Sequence, residues 1–161
     1  MREKWIVEAK KGDFNGLSAK LKVSPLAVRC LMNRGVESEQ EMRSFLYGTL
    51  DDLHDPFTMK GMNEAVQEIV QAREQGRKVA IASDFDCDGI FSAYILWKGF
   101  QRIGLDSEIF TPDRVKEGYG LNRRIVDEAL AGGRDFLVTC DNGIAAESEI
   151  AYAKEMGMTV I

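Results

Sequence analysis

Three aspartates occupy alternate positions in Asp84-Phe85-Asp86-Cys87-Asp88-Gly89, directly after the apolar run Val79-Ala80-Ile81-Ala82. Alternate residues of an extended chain lie on one side of it, so a strand fraying into a loop here aims several acidic oxygens at one point. Convergent carboxylates repel one another unless a cation sits between them. Hard oxygen donors suit magnesium or manganese better than zinc or copper, and such ions most often serve phosphate chemistry.

A second acidic string, Val138-Thr139-Cys140-Asp141-Asn142-Gly143-Ile144, has the same plan of strand, acid and glycine. If its strand neighbours the first, Asp141 completes a ligand set with Asp84, Asp86 and Asp88. Gly89 and Gly143 would then let backbone come close to a metal or a phosphate, with helix N-termini supplying amide donors.

Other readings compete for these residues. An Asp-rich segment is often a solvated turn, with Asp as a cap and Gly at positive φ. A helix-loop-helix calcium site also begins D-x-D-x-D-G, but it needs a bidentate Glu at its twelfth position, which is Ile95 here. A haloacid-dehalogenase-like phosphatase needs a Thr two residues past its second Asp, and that place holds Asp88 or Ile90. A non-catalytic module that keeps the fold and binds a partner remains open.

The elements that position the two strings alternate in type. Strands are expected at 78–83, 107–111 and 136–140, and helices at about 90–103, 122–130 and after Gly143 to Met156. A helix from Met62, with Ala65, Val66, Ile69 and Val70 at helical spacing, stops at Gly76. Strand-helix alternation calls for an α/β fold with a parallel, helix-covered sheet, whose active site lies beyond the carboxyl ends of the strands. Residues 1–60 are expected to form a separate small helical segment, and residues 61–161 the α/β domain. In the first, Ser24-Pro25 opens a helix that stops at Gly35, and Ser38-x-x-Glu41 is a capping box for another ending near Leu46.

The chain has 161 residues, 45% of them hydrophobic, enough for one good core with a small appended subdomain. No run approaches a membrane span and no apolar leader follows Met1, so cytoplasmic residence is expected. Cys30, Cys87 and Cys140 suit reduced thiols rather than a disulfide framework or zinc knuckle. The net charge of -5 argues against a surface that coats nucleic acid, but a metal-bridged substrate is compatible with it. Arg114 with Lys116, and Arg123 with Arg124, are local basic pairs that could meet phosphate, and Tyr119 beside the first pair could stack on a base.

The two acidic strings resemble the first and second motifs of the DHH phosphoesterases, with Phe85 where Tyr is usual. Glu117-Gly118-Tyr119-Gly120-Leu121-Asn122 is similar to a segment of the family's RecJ branch. Leu31-Met32-Asn33-Arg34-Gly35-Val36 and Leu53-His54-Asp55-Pro56-Phe57 are similar to its N-terminal stretch. The resemblance implies a single-stranded-DNA-specific exonuclease working 5′ to 3′ with two Mn2+ or Mg2+ ions, in recombination and repair. It implies metal-binding roles for Asp84, Asp86, Asp88 and Asp141, with Asp86, Asp88 and Asp141 at the chemistry. Small-nucleotide phosphodiesterases share these motifs and stay as an alternative. The family's Asp-His-His motif would follow the strand that starts at Met158, and His54 is the only histidine here. The 161 residues are accordingly expected to be the front part of a longer enzyme, inactive by themselves.

Overall fold

The computed structural model describes residues 3–6 and 10–161. Two compact units divide the chain, one ending at Thr58 and one spanning Met59–Ile161.

In the first unit three short helices, α1 (Phe14–Leu21), α2 (Pro25–Asn33) and α3 (Glu39–Tyr47), each begin at a side-chain cap. The Asp13, Ser24 and Ser38 side chains accept from the amides of Gly16, Ala27 and Glu41, satisfying donors that a helix start leaves free. Glu41 returns the bond to the Ser38 amide at 2.9 Å, closing the capping box read from the sequence. Leu21, Val28, Leu31, Met32 and Met42 form the core of this unit.

The second unit opens with α4 (Met62–Glu74) and continues β1 (Val79–Ala82), α5 (Cys87–Arg102), β2 (Ser107–Phe110), α6 (Arg123–Ala131), β3 (Phe136–Thr139), α7 (Glu147–Glu155) and β4 (Thr159–Val160). The four strands are parallel in the order β2-β1-β3-β4. Each falls within its expected segment. The chain steps from β1 to β2 in one direction and then back past β1 to β3. Right-handed crossovers in opposite directions put their helices on opposite faces. Two cores result. Val79 and Ile81 pack with Ala72, Ala93 and Phe100 from α4 and α5, while Ala80 and Ala82 pack with Ile125, Val126, Ala129 and Ala153 from α6 and α7. β1 is therefore apolar on both sides and fully buried, which explains its unbroken Val-Ala-Ile-Ala run.

The reversal of direction between β1 and β3 makes a crevice at their carboxyl ends, where parallel sheets bind ligands. Both acidic strings open into it.

Candidate metal centre

β1 and β3 pair with Val79 beside Phe136 and Ala82 beside Thr139. This neighbourhood was the condition for joining the two acidic strings. The carboxylates of Asp86, Asp88 and Asp141 offer ligand oxygens that all lie within 4.8 Å of one another. Among the described residues this is the one such group of His, Cys, Asp or Glu side chains.

The route by which they meet differs from the extended-loop expectation. The helix starts at Cys87 rather than near Ile90, and Asp86 is its N-cap, accepting from the Gly89 amide at 3.3 Å. Asp84 lies two residues past β1, Asp86 caps α5, and Asp88 reaches the cluster from the first turn of α5. The cause is the Asp-x-x-Gly spacing, which satisfies a capping bond as soon as the strand ends. Ser83 adds a second tie, its hydroxyl donating to the Gly89 carbonyl at 2.6 Å.

Asp84 stands apart from the three. Its side chain is fully buried at the end of β1, and neither carboxylate oxygen has a hydrogen-bond partner among the described residues. An ionised carboxylate in that state is costly unless a cation meets it. The donor set is thus one of hard oxygens with a buried carboxyl group behind it, which fits a divalent metal of the magnesium and manganese type.

Asp141 sits in the left-handed region at φ 58°, a conformation that Asp tolerates better than most residues. Its carboxyl is pushed up from the ordinary range. Partial desolvation is the first cause, followed by the negative charges of Asp88, Asp86 and Asp84 and a carboxyl-carboxyl hydrogen bond to Asp86. Desolvation, followed by the negative charges of Asp141, Asp84, Asp86 and Asp88, pushes the Tyr119 phenol up. Burial likewise raises the Cys140 thiol beside Asp141.

The two glycines of the motifs also sit where the chain itself leaves no room for a side chain. A Cβ on Gly89 would come 2.5 Å from the Asp84 carbonyl oxygen, and one on Gly143, at φ 101°, would come 2.6 Å from Thr139 Oγ1. At both positions a side chain would collide with the protein's own atoms.

Tyr119 and Arg114 flank the cluster. The Tyr119 hydroxyl donates to the Asp141 carbonyl at 2.6 Å while its ring remains exposed. That ring meets Phe85 edge-on with centroids 6.4 Å apart, and the Arg114 guanidinium lies 5.0 Å from the Phe85 ring centre. The other basic residues noted in the sequence are engaged elsewhere. Arg124 forks onto Glu117 and Glu128, Arg123 covers Tyr152, and Lys116 lies 3.7 Å from Asp113. Sequence reading missed Ser83, Phe85 and Glu117 as parts of the site. Phe85 and Ser83 border the motif and could have been found by that adjacency, whereas Glu117 is bonded to Arg124, seven residues on.

A model of the DHH family, N-terminal domain, matches residues 78–161. The chain belongs to the DHH family. It is 36% identical over 159 residues to the single-stranded-DNA-specific exonuclease RecJ of Bacillus subtilis strain 168, covering 98% of this chain and 20% of that protein. To the Escherichia coli K12 protein of the same name it is 32% identical over 139 residues, or 85% of this chain and 23% of the other. The chain thus spans about a fifth of the length of these curated relatives. A crystal structure of exonuclease RecJ bound to manganese superposes with a TM-score of 0.59 at 34% identity, over 63% of this chain and 26% of that one. RecJ from Thermus thermophilus in complex with Mn2+ gives 0.59 at 26% identity, over 91% and 20%.

Proposed function

We propose that this chain carries the acidic metal centre of a phosphodiesterase, and that the enzyme it serves hydrolyses single-stranded DNA from a 5′ end. The observation that carries the reading is the meeting of Asp86, Asp88 and Asp141 at the switch point of the sheet, with the unpartnered Asp84 buried behind them. The relatives that are single-stranded-DNA-specific exonucleases, and the two manganese-bound structures, support the substrate and the metal.

Asp84, Asp86, Asp88 and Asp141 would hold the ions, which when bound neutralise phosphate oxygens and acidify water. The chain's own groups do the placing. Asp86 accepts from the Gly89 amide through one oxygen, which leaves the other free of that bond. Tyr119 holds the Asp141 main chain through its carbonyl. The exposed Tyr119 ring and Arg114 offer a stacking face and a cation for a nucleotide next to the cleaved bond, a sequence-tolerant contact suited to single strands. No helix is long and apolar enough to cross a membrane among the described residues, and DNA as substrate suits a cytoplasmic location.

The test is a manganese titration of the chain followed by electron paramagnetic resonance, beside single-stranded-DNA hydrolysis by the full-length enzyme. Asp86→Ala and Asp141→Ala should each lose metal binding and turnover. Hydrolysis that persists in both variants would refute the reading. A chain that binds no manganese would favour the non-catalytic module.

A further inference from the structure

We propose that Arg124 and Glu117 are positioning residues for the metal centre, acting through Tyr119 on the backbone of Asp141. This rests on the reading of Asp86, Asp88 and Asp141 as metal ligands.

The segment between β2 and α6 runs from Thr111 to Asn122, long enough to wander unless it is tied down. Arg124 is one of its ties. Arg124, in the first turn of α6, donates from Nε and Nη2 to the two oxygens of Glu117 at 2.5 and 2.8 Å. Nη2 also reaches the Thr111 carbonyl at 3.1 Å, and Nη1 the Glu128 carboxylate at 2.6 Å. One guanidinium therefore grips the start and the middle of the segment from the helix that ends it. A planar fork of this kind fixes orientation as well as distance.

Glu117 passes the constraint on. Its second oxygen accepts from the Asp113 amide at 2.7 Å, and the Glu117 amide returns to the Asp113 carbonyl at 2.8 Å, closing a small ring of bonds. Two residues later Tyr119 stands between Gly118 at φ 81° and Gly120 at φ 89°. Those glycines allow a sharp excursion of the chain toward β3, and it ends in the 2.6 Å bond from Tyr119 to the Asp141 carbonyl. Asp141 itself is held at φ 58°, a sparsely populated conformation that persists only where its surroundings enforce it. The phenol is one of those surroundings. Glu117 is held to about 2 by the Arg124 bond and the Asp113 amide, so the clamp stays charged wherever the enzyme would work.

The experiment compares Tyr119→Phe, which keeps the ring, with Glu117→Gln, Arg124→Lys and the Tyr119→Phe/Glu117→Gln double variant in the 161-residue chain. Two readouts are taken beside Tm: manganese affinity, and the carbonyl carbon resonance of Asp141 in metal-free, isotope-labelled protein. Each single variant should weaken manganese binding roughly tenfold, as loss of a support behind a metal ligand does. Each should also move the Asp141 carbonyl resonance, and the double variant should be no worse than Tyr119→Phe alone, because both act through one bond. A Glu117→Gln protein whose Asp141 resonance stays in place overturns the clamp, as does additive loss in the double variant. Wild-type protein whose manganese affinity is indifferent to Asp86→Ala and Asp141→Ala instead sinks the metal centre itself. In that case the metal-free resonance still reports whether the clamp reaches Asp141.

Discussion

Ala82 of β1 stands in parallel register beside Thr139 of β3, so Asp84 and Asp141, each two residues further on, leave adjacent strands at the same edge of the sheet. Ligands drawn from two strands can converge only while that pairing holds. Metal bound to the cluster must therefore stabilise the sheet, by RT ln(1 + [L]/Kd), or about 2.7 kcal/mol at a hundredfold excess over Kd. Thermal unfolding with and without millimolar manganese should show a clear rise in Tm. Asp86→Ala and Asp141→Ala should abolish the rise without unfolding the protein, since both residues are exposed.

Gly89→Ala sets two effects against each other. In a helix interior alanine is favoured over glycine by about 1 kcal/mol. At this position the new Cβ would lie 2.5 Å from the Asp84 carbonyl oxygen and 2.8 Å from its carbon, which are backbone atoms with nowhere to go. Overpacking of this kind costs about 1–3 kcal/mol, so the steric term wins. The substitution should lower the urea midpoint, and it should weaken manganese binding because α5 carries Asp86 and Asp88 with it when it backs away. Unchanged stability and affinity together would show that the helix start has slack the geometry does not suggest.

Much of this architecture was legible because local chemistry and tertiary need agree. The β1 run is apolar on both faces, as a central parallel strand must be, and Ser24, Ser38 and Asn122 are caps at the positions where helices begin. α1 was not legible. Its eight residues, Phe-Asn-Gly-Leu-Ser-Ala-Lys-Leu, include Gly16 and Ser18 and carry a weak apolar period, so its helicity rests on the Asp13 cap and on packing against α2. The start of α5 was misplaced because alternating acids read as an extended segment, and the Asp86 to Gly89 spacing was the signal passed over. The Tyr119 bond to Asp141 joins residues 22 apart through a carbonyl that every residue possesses, and no side-chain pattern announces such a partner.

Acid and alkali should act on different parts of the site. Glu117 is held to about 2, below its ordinary 4.5, chiefly by Arg124. A depressed carboxyl contributes stability that is present above its unfolded value and lost as pH falls through the folded one, here between about 4.5 and 2. Asp141 is raised, so its contribution is present at low pH and lost as pH rises through its folded value. Metal-free protein should accordingly lose stability through Asp141 as pH rises above the ordinary carboxylate value, and Asp141→Asn, which suits the left-handed conformation, should remove that slope. Glu117→Gln should flatten the acid limb alone. Chemical unfolding at several pH values resolves the two limbs, and a wild-type curve with no fall as pH rises above the ordinary carboxylate value would contradict the Asp141 assignment.

Asp84 offers the sharpest separation of stability from function. It is fully buried, both its oxygens lack partners among the described residues, and an ionised carboxylate so placed would burden the metal-free fold. Asp84→Asn keeps the shape and removes the charge. The gain is limited because the amide still needs hydrogen bonds at a place that supplies none, so the metal-free protein should become more stable by about 1–2 kcal/mol rather than the full cost of a buried ion. If the charge is retained for a cation, the same change should cut manganese affinity and with it the thermal protection by metal, so that wild type overtakes the variant once manganese is in excess. Calorimetry of both proteins across a manganese series would show the two Tm curves crossing. Parallel curves would mean that the buried charge plays no part in holding the ion.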